Sequence, residues 1–281
     1  MTLPTSLPIF SATRYLQPLR EGGSLPAVVD TDGAGLFVTK FRGAGQGAKA
    51  LVAELVVGQL ALRAGLPVPE LALIDVADSF GRSEPDPEIQ EILKGSHGLN
   101  VGLRYLDGAF NFDASAAAHV ITPELATRLV WFDAFVTNPD RTHRNTNLLV
   151  WDGEPWLIDH GAALYAHHDW PSVDGARTRT PFPLIKDHVL LGASGDVSAV
   201  DTEMRAALGG DAIELALAAV PESLLMDTVR GRDFGDVARA RARYAEYLHE
   251  RLDASQAFVA EAMVARERLE RVGRPRMSAR R

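Results

Sequence analysis

The chain contains no cysteine. Disulfides, thiolate metal sites and a cysteine nucleophile are therefore excluded. Nor is there an excess of basic charge: 29 Lys and Arg stand against 37 Asp and Glu, a formal charge of -8. A general nucleic-acid binder needs a basic field, so that class is set aside, while a small anionic ligand held by local donors remains compatible. Long apolar runs are missing too. No stretch approaches the length of a membrane span, and "MTLPTSLPIFSATRYLQPL" lacks the basic start and apolar run of a signal peptide. The expectation is a cytoplasmic protein without a membrane partner. The 281 residues show no internal repeat, and their 46% hydrophobic content suffices for one large domain or two lobes.

What is present begins as mixed β and α. "PAVVD", "TDGAG" and "LFVTKF" describe two strands around an Asp-Gly turn. "RGAGQGAK" is a flexible loop, and "ALVAELVVGQLALRAG" then has helical periodicity ending at Gly65. "LPVPELALIDVAD" returns to strand after its prolines. Residues 79–97 are polar and contain proline, and read as an excursion or a connecting loop. "GLNVGLRYLDG" resumes extended structure, with Asn100 to Tyr105 expected to cross between lobes.

Thr122 and Pro123 supply a cap and a first helical position for "TPELATRLVWFDAFVTN". "NLLVWDG" and "EPWLID" form a second hairpin about Asp152-Gly153. From about residue 184 the chain reads as mostly helical, most clearly in "ARARARYAEYLHERL" and "ASQAFVAEAMVARERLERV". Acids interleave with arginine in these helices, so their charge is expected on solvated faces. The basic tail 273–281 is expected to be disordered.

The chemistry concentrates in "NPDRTHRNTNLLV" and "WLIDHGAAL". Asp140 and Asn145 share one loop, and Asp159 ends a strand of the hairpin that follows. Such a set offers only oxygen ligands, which suit Mg²⁺ carrying waters and substrate phosphates. Phosphoryl transfer needs these parts: a carboxylate near the acceptor hydroxyl, and an Asn and an Asp holding the metal on the nucleotide. The first half supplies a partner. Lys40 lies in a strand of alternating pattern, where an ammonium calls for an anion, and Glu54 lies in the helix after it. A Lys and a Glu so placed can pair, holding the ammonium against the phosphates of ATP. Gly22 and Gly23, in "EGGSLPAVV", would let backbone N–H groups approach a phosphate.

On "LFVTKF", "ALVAELVVGQLALRAGLPVPE", "WFDAFVTNPDRTHRNTNLLV" and "LIDHGAAL", the chain resembles the HipA-like kinases, a bacterial branch of the protein-kinase and phosphoinositide-kinase superfamily. The resemblance covers roughly residues 20–170. It implies an α+β, two-lobed kinase-like fold, with a small β-rich N-lobe (1–100, with the Glu54 helix) and a larger, mostly helical C-lobe (101–272). It also implies ATP and Mg²⁺ as cofactors and γ-phosphoryl transfer to a hydroxyl of a protein Ser/Thr or a small molecule. Carried over by position, Lys40 binds the phosphates and Glu54 anchors it. Asp140 is the catalytic base, and Asn145 and Asp159 hold Mg²⁺. The chain departs from the pattern at His160, which stands where many kinases have Phe, so an aromatic packing switch is not expected. "REGGSLPAV" lacks the spaced glycines of the group.

Blander readings exist for each residue alone. Asp140 and Asn145 suit an ordinary turn, Lys40 could snorkel from an edge strand, and Arg141 suits a structural ion pair. His143 divides between loop packing and a phosphate contact. A metal-dependent phosphohydrolase built on His160, His167, His168 and Asp169 is disfavoured, because "WPSVDGARTRTPFP" cannot continue a helix. "GAGQGAK" has the wrong spacing for a P-loop. Two alternatives to the kinase stay open: a nucleotide-binding regulatory pseudokinase, and an AMP-transferring variant of the same fold.

Overall fold

A computed structural model describes residues 6–19, 25–45, 47–82, 84–229 and 234–272. Its first part runs β1 (Ile9–Pro18), β2 (Ala27–Thr31), β3 (Gly35–Lys40), α1 (Gly47–Arg63), β4 (Leu71–Val76), α2 (Pro87–Lys94) and β5 (Gly98–Arg104). The expected hairpin is β2–β3, antiparallel with Val29 opposite Phe37. The five strands close into a barrel in the order β1-β2-β3-β5-β4, with β1 parallel to β4. Ala27, Val29, Phe37, Phe41, Ala72, Ile74 and Val76 pack together as its interior.

Two elements correct the reading of the sequence. β1 was not expected, and α2 lies inside the supposed loop 79–97. Asp86 caps α2, its Oδ1 accepting from Glu88 N at 2.9 Å, and Pro87 stands in the first turn. Ile89 and Leu93 of α2 join the barrel interior. The α2–β5 turn also braces the loop after β3. Gly43 N donates to Ser96 Oγ (3.0 Å) and Arg42 N to Asn100 Oδ1 (2.9 Å). A Cβ on Gly43 would lie 2.4 Å from the Ile92 carbonyl oxygen, so only glycine permits this approach. Asn100 is thus a buried residue within β5, and the strand ends at Arg104, which moves any crossover to Tyr105 and beyond.

The chain continues with β6 (Phe110–Asn111), α3 (Ala117–Val120), α4 (Pro123–Phe135), β7 (Leu148–Trp151), β8 (Glu154–Leu157) and α5 (Gly175–Thr178). It ends with α6 (Asp201–Leu208), α7 (Ala212–Ala218), α8 (Glu222–Val229), α9 (Val237–Asp253) and α10 (Ser255–Val272). Strands β6-β7-β8 form a second, antiparallel sheet. Asp152 and Gly153 join β7 to β8 with φ of 52° and 79°, the left-handed pair a tight two-residue turn requires. Residues 160–200 are irregular, broken by short 3₁₀ turns and α5, so the long helical stretch begins at α6, later than the sequence indicates.

Thr122 caps α4 as expected, its Oγ1 accepting from Leu125 N at 3.2 Å. Within α4, Trp131 and Phe135 pack on Phe258 of α10, with the Trp131 and Phe258 rings 5.2 Å apart and edge-on. Truncating a buried ring of this kind typically costs about 3–5 kcal/mol. Arg251 of α9 is buried, contrary to the expected solvated face. It donates to the carbonyls of Ala134 and Phe135 (both 2.8 Å), satisfying the open end of α4 just before the Asp140 loop.

Helix α1 is buried almost all round between residues 50 and 61, which suits an element covered on more than one side. It packs on β5 and also on α6, α7 and α8. The helix carrying Glu54 therefore links the barrel to the C-terminal helices.

Candidate active site

Strand alternation sets the first side chain. Phe37 enters the barrel interior, so Lys40 at the end of β3 faces the opposite side, towards α1. Its ammonium lies 2.6 Å from Glu54 Oε2 and 2.6 Å from Asp159 Oδ1. The strand is interior to the closed barrel and Lys40 is buried, so it does not snorkel from an edge. Burial alone would lower the Lys40 pKa, but the two carboxylates outweigh it and raise it above its usual value. Burial likewise pushes the Glu54 carboxyl up, while Lys40 and His160 hold it down at about 2.

Asp159 follows β8 with φ of 55°, a left-handed backbone that a non-glycine residue adopts at a cost. From this backbone its side chain meets Lys40 while the next residue points inward. His160 is fully buried, and its backbone N–H donates to Glu54 Oε2 at 2.8 Å. The Asp159 side chain stays 37% exposed, and its Oδ2 makes no hydrogen bond among the described residues.

The loop after α4 holds the second carboxylate. Thr142 N donates to the carbonyls of Asp140 (2.9 Å) and Asn145 (2.8 Å), folding the loop back on itself. Asp140 Oδ2 accepts from Asn145 Nδ2 (2.8 Å) and Asn147 Nδ2 (3.1 Å). Its Oδ1 makes no hydrogen bond among the described residues. Asn147, at φ 47°, also reaches the Asp159 carbonyl at 3.4 Å, tying the two carboxylate-bearing segments together.

Beneath this loop lies a sealed ionic cluster. Asp133 of α4, fully buried, accepts from Asn138 Nδ2 (3.1 Å), Arg141 Nε (2.6 Å) and His188 Nε2 (2.9 Å). Leu190 N donates to His188 Nδ1 at 3.1 Å, which fixes the proton on Nε2. Burial pushes the Asp133 carboxyl up, but Arg141 and His188 hold it far below the ordinary carboxylate range. Burial pushes His188 below its usual value despite Asp133, so this imidazole is neutral. Arg141 also donates to the Asn147 carbonyl, fastening both ends of the loop to one buried acid.

Of the residues expected from the sequence, Lys40, Glu54 and Asp159 meet directly, and Asp140 meets Asn145. Arg141 is a structural ion pair. His143 is exposed and makes no hydrogen bond among the described residues. Gly22 and Gly23, like the tail 273–281, lie outside the described residues. Sequence reasoning missed Asp133, Asn147 and His188. Asp133 had one visible signal, an acid inside the apolar run "VWFDAFV". The four residues of the phosphohydrolase reading are otherwise engaged. His160 serves Glu54, His167 lies 3.1 Å from the Tyr244 hydroxyl and 3.2 Å from His168, and Asp169 accepts from Ser172 and Arg177.

The oxygens fit a magnesium ion brought in on a nucleotide. With Asn145 Nδ2 engaged on Asp140, its Oδ1 is the end left for a cation; Asp159 keeps Oδ2 uncommitted, and Asn147 ties the two segments. No group of three His, Asp or Glu side chains is placed to hold a metal ion among the described residues. A cation here would take most of its shell from water and phosphate, as Mg²⁺ commonly does.

A family model described as HipA-like kinase matches residues 13–173. The solved structure of a Helicobacter pylori proinflammatory kinase, CtkA, is similar at 12% identity. That similarity covers 93% of this chain and 99% of that one, with a TM-score of 0.38, too low to carry weight. No curated protein matches the chain.

Proposed function

Because the chain belongs to the HipA-like kinase family, we propose that it transfers the γ-phosphoryl group of ATP, with Mg²⁺, to a hydroxyl acceptor, a protein Ser or Thr. The observation that carries this reading is the Lys40 ammonium held at 2.6 Å from both Glu54 and Asp159. The pair is buried at Lys40 and Glu54 yet ends in a part-exposed carboxylate, Asp159, whose segment Asn147 ties to a second acid, Asp140.

In this reading Lys40 orients the α and β phosphates and Glu54 holds the ammonium in place. Asp140 takes the proton of the acceptor hydroxyl on Oδ1, the oxygen left open by Asn145 and Asn147. Asn145 and Asp159 hold the metal, which supplies charge neutralisation on the phosphates. His143, exposed on the same loop, contacts phosphate. Acceleration comes from positioning and electrostatics rather than covalent chemistry. The barrel with α1 forms the smaller lobe, which runs to Arg104 at the end of β5 rather than to residue 100, and the residues from Tyr105 to Val272 form the larger. Among the described residues no helix is long and apolar enough to cross a membrane.

The test is transfer from γ-labelled and α-labelled ATP by wild type, Asp140→Ala and Asp159→Ala, assayed on a Ser/Thr-containing protein and on the chain itself. The expected result is γ-label transfer that both substitutions abolish. Incorporated α-label establishes AMP transfer, and Mg²⁺-dependent ATP binding without transfer to any acceptor establishes a pseudokinase. Absence of Mg²⁺-ATP binding contradicts all three.

A further inference from the structure

The phosphoryl-transfer reading gives Glu54 its partner in Lys40 but leaves half of the Glu54 carboxylate unexplained. Oε2 accepts from Lys40 Nζ (2.6 Å) and from His160 N (2.8 Å). Oε1 is buried with no hydrogen-bond partner at ordinary geometry, and so are both ring nitrogens of His160. Two of these three atoms face each other, with His160 Nδ1 3.4 Å from Glu54 Oε1. Neither side chain has any solvent exposure. A buried carboxylate oxygen without a donor is costly, and the His160 imidazole stands within reach of it.

Resting on the reading above, we propose that His160 is a positioning residue that acts through Glu54, its Nδ1–H clamping Oε1 while its backbone N–H holds Oε2. The clamp closes a ring of contacts through three elements: Lys40 on β3, Glu54 on α1, His160 next in the chain to Asp159, and Asp159 back to Lys40. Backbone and ring together fix the plane of the Glu54 carboxylate. That plane sets where the ammonium sits, and hence its distance from Asp159. The position that holds an aromatic packing residue in many kinases here carries a polar one, and α1 is coupled to the Asp159 segment by donors and charge instead of ring packing.

Substitutions separate a clamp from a space-filler. Asn offers an amide donor at the δ position, whereas Phe fills the volume and offers none. The clamp predicts that His160→Phe lowers kcat on the order of 100-fold, with a smaller change in KM for ATP. It also predicts that His160→Asn recovers most of that loss. A packing role predicts the reverse order, Phe close to wild type and Asn impaired, and that result overturns the proposal. A second measurement needs no activity. ¹⁵N NMR of the wild-type imidazoles reports which nitrogen carries the proton. The expected His160 signal is Nδ1–H, displaced in Glu54→Gln. An Nε2–H signal overturns the clamp whatever the activity. A wild type that transfers no phosphate yet shows Nδ1–H counts against the kinase reading and upholds the Glu54 contact.

Discussion

Two buried carboxylates, Glu54 and Asp133, have nearly the same company and opposite purposes. Each is taken wholly out of water, each faces one strong cation and one histidine, and each is held well below the usual carboxylate range. The Asp133 cluster is closed. Arg141 has no exposed side-chain surface, and the cluster's ties run to Asn138, His188 and the Asn147 backbone, all within the protein. The Glu54 cluster is open at one end, because Lys40 passes the contact on to Asp159, which is 37% exposed with one oxygen uncommitted. The sealed cluster fastens the Asp140 loop to α4. The open one leaves charge where a ligand can meet it. Burial and a shifted pKa alone do not distinguish the two; the distinction lies in where the chain of contacts ends.

The comparison breaks most sharply by activity. In the open cluster, Lys40→Ala and Asp159→Ala should each lower phosphate transfer on the order of 1,000-fold. Asp159→Ala should at the same time change stability by less than about 1 kcal/mol, since the acid is part-exposed and Lys40 keeps Glu54. Paired transfer assays and urea titrations check both. In the sealed cluster the balance reverses. Asp133→Ala strands the buried Arg141 guanidinium and should cost about 3–5 kcal/mol of folding free energy, read from the shift in urea midpoint.

Acid separates the clusters next. Glu54 has a folded pKa of about 2 against an ordinary 4.5, so its contribution is present above pH 4.5 and drains away as pH falls towards 2. The full swing is on the order of 3 kcal/mol. The slope of stability against pH in that window should flatten in Glu54→Gln. His188 belongs to a higher window. Its folded pKa lies below the ordinary 6.5, so its contribution is present above pH 6.5 and is lost as pH falls through the lowered value. His188→Gln should remove slope just below pH 6.5 and leave the Glu54 window unaltered. A variant outside both clusters completes the series: Asp86→Ala removes the α2 cap and should cost about 1 kcal/mol with phosphate transfer unchanged.

The open cluster was legible in the sequence, whereas of the sealed one only Arg141 was, as a structural ion pair without its partner. Lys40 in a strand and Asp159 at a strand end break an apolar pattern where nothing local compensates, and such breaks point to distant partners. Asp133 breaks one too, but it sits within an otherwise apolar helix, and its partner His188 lies 55 residues on in a segment without regular periodicity. Asn147 carries no signal of its own beside Asn145, which already suits the metal-holding role. The helix α2 carried its signals in Asp86 and Pro87, outweighed by the polar composition around it. The strand β1 had weaker ones: register shifts interrupt its pairing with β2, so its apolar residues lose the simple alternation that marks a strand. Arg251 reads as a surface residue because its neighbours on α9 are charged, and its burial is explained by distant carbonyls, those at the open end of α4 and those of Thr178 and Thr180.

The most direct measurement is calorimetric titration of ATP into wild type and Asp159→Asn, with and without Mg²⁺. An open cluster built to receive a metal nucleotide predicts wild-type binding strengthened by Mg²⁺ and an Asp159→Asn variant that loses most of that gain. No ATP binding by wild type, or an equal Mg²⁺ gain in both proteins, would contradict it.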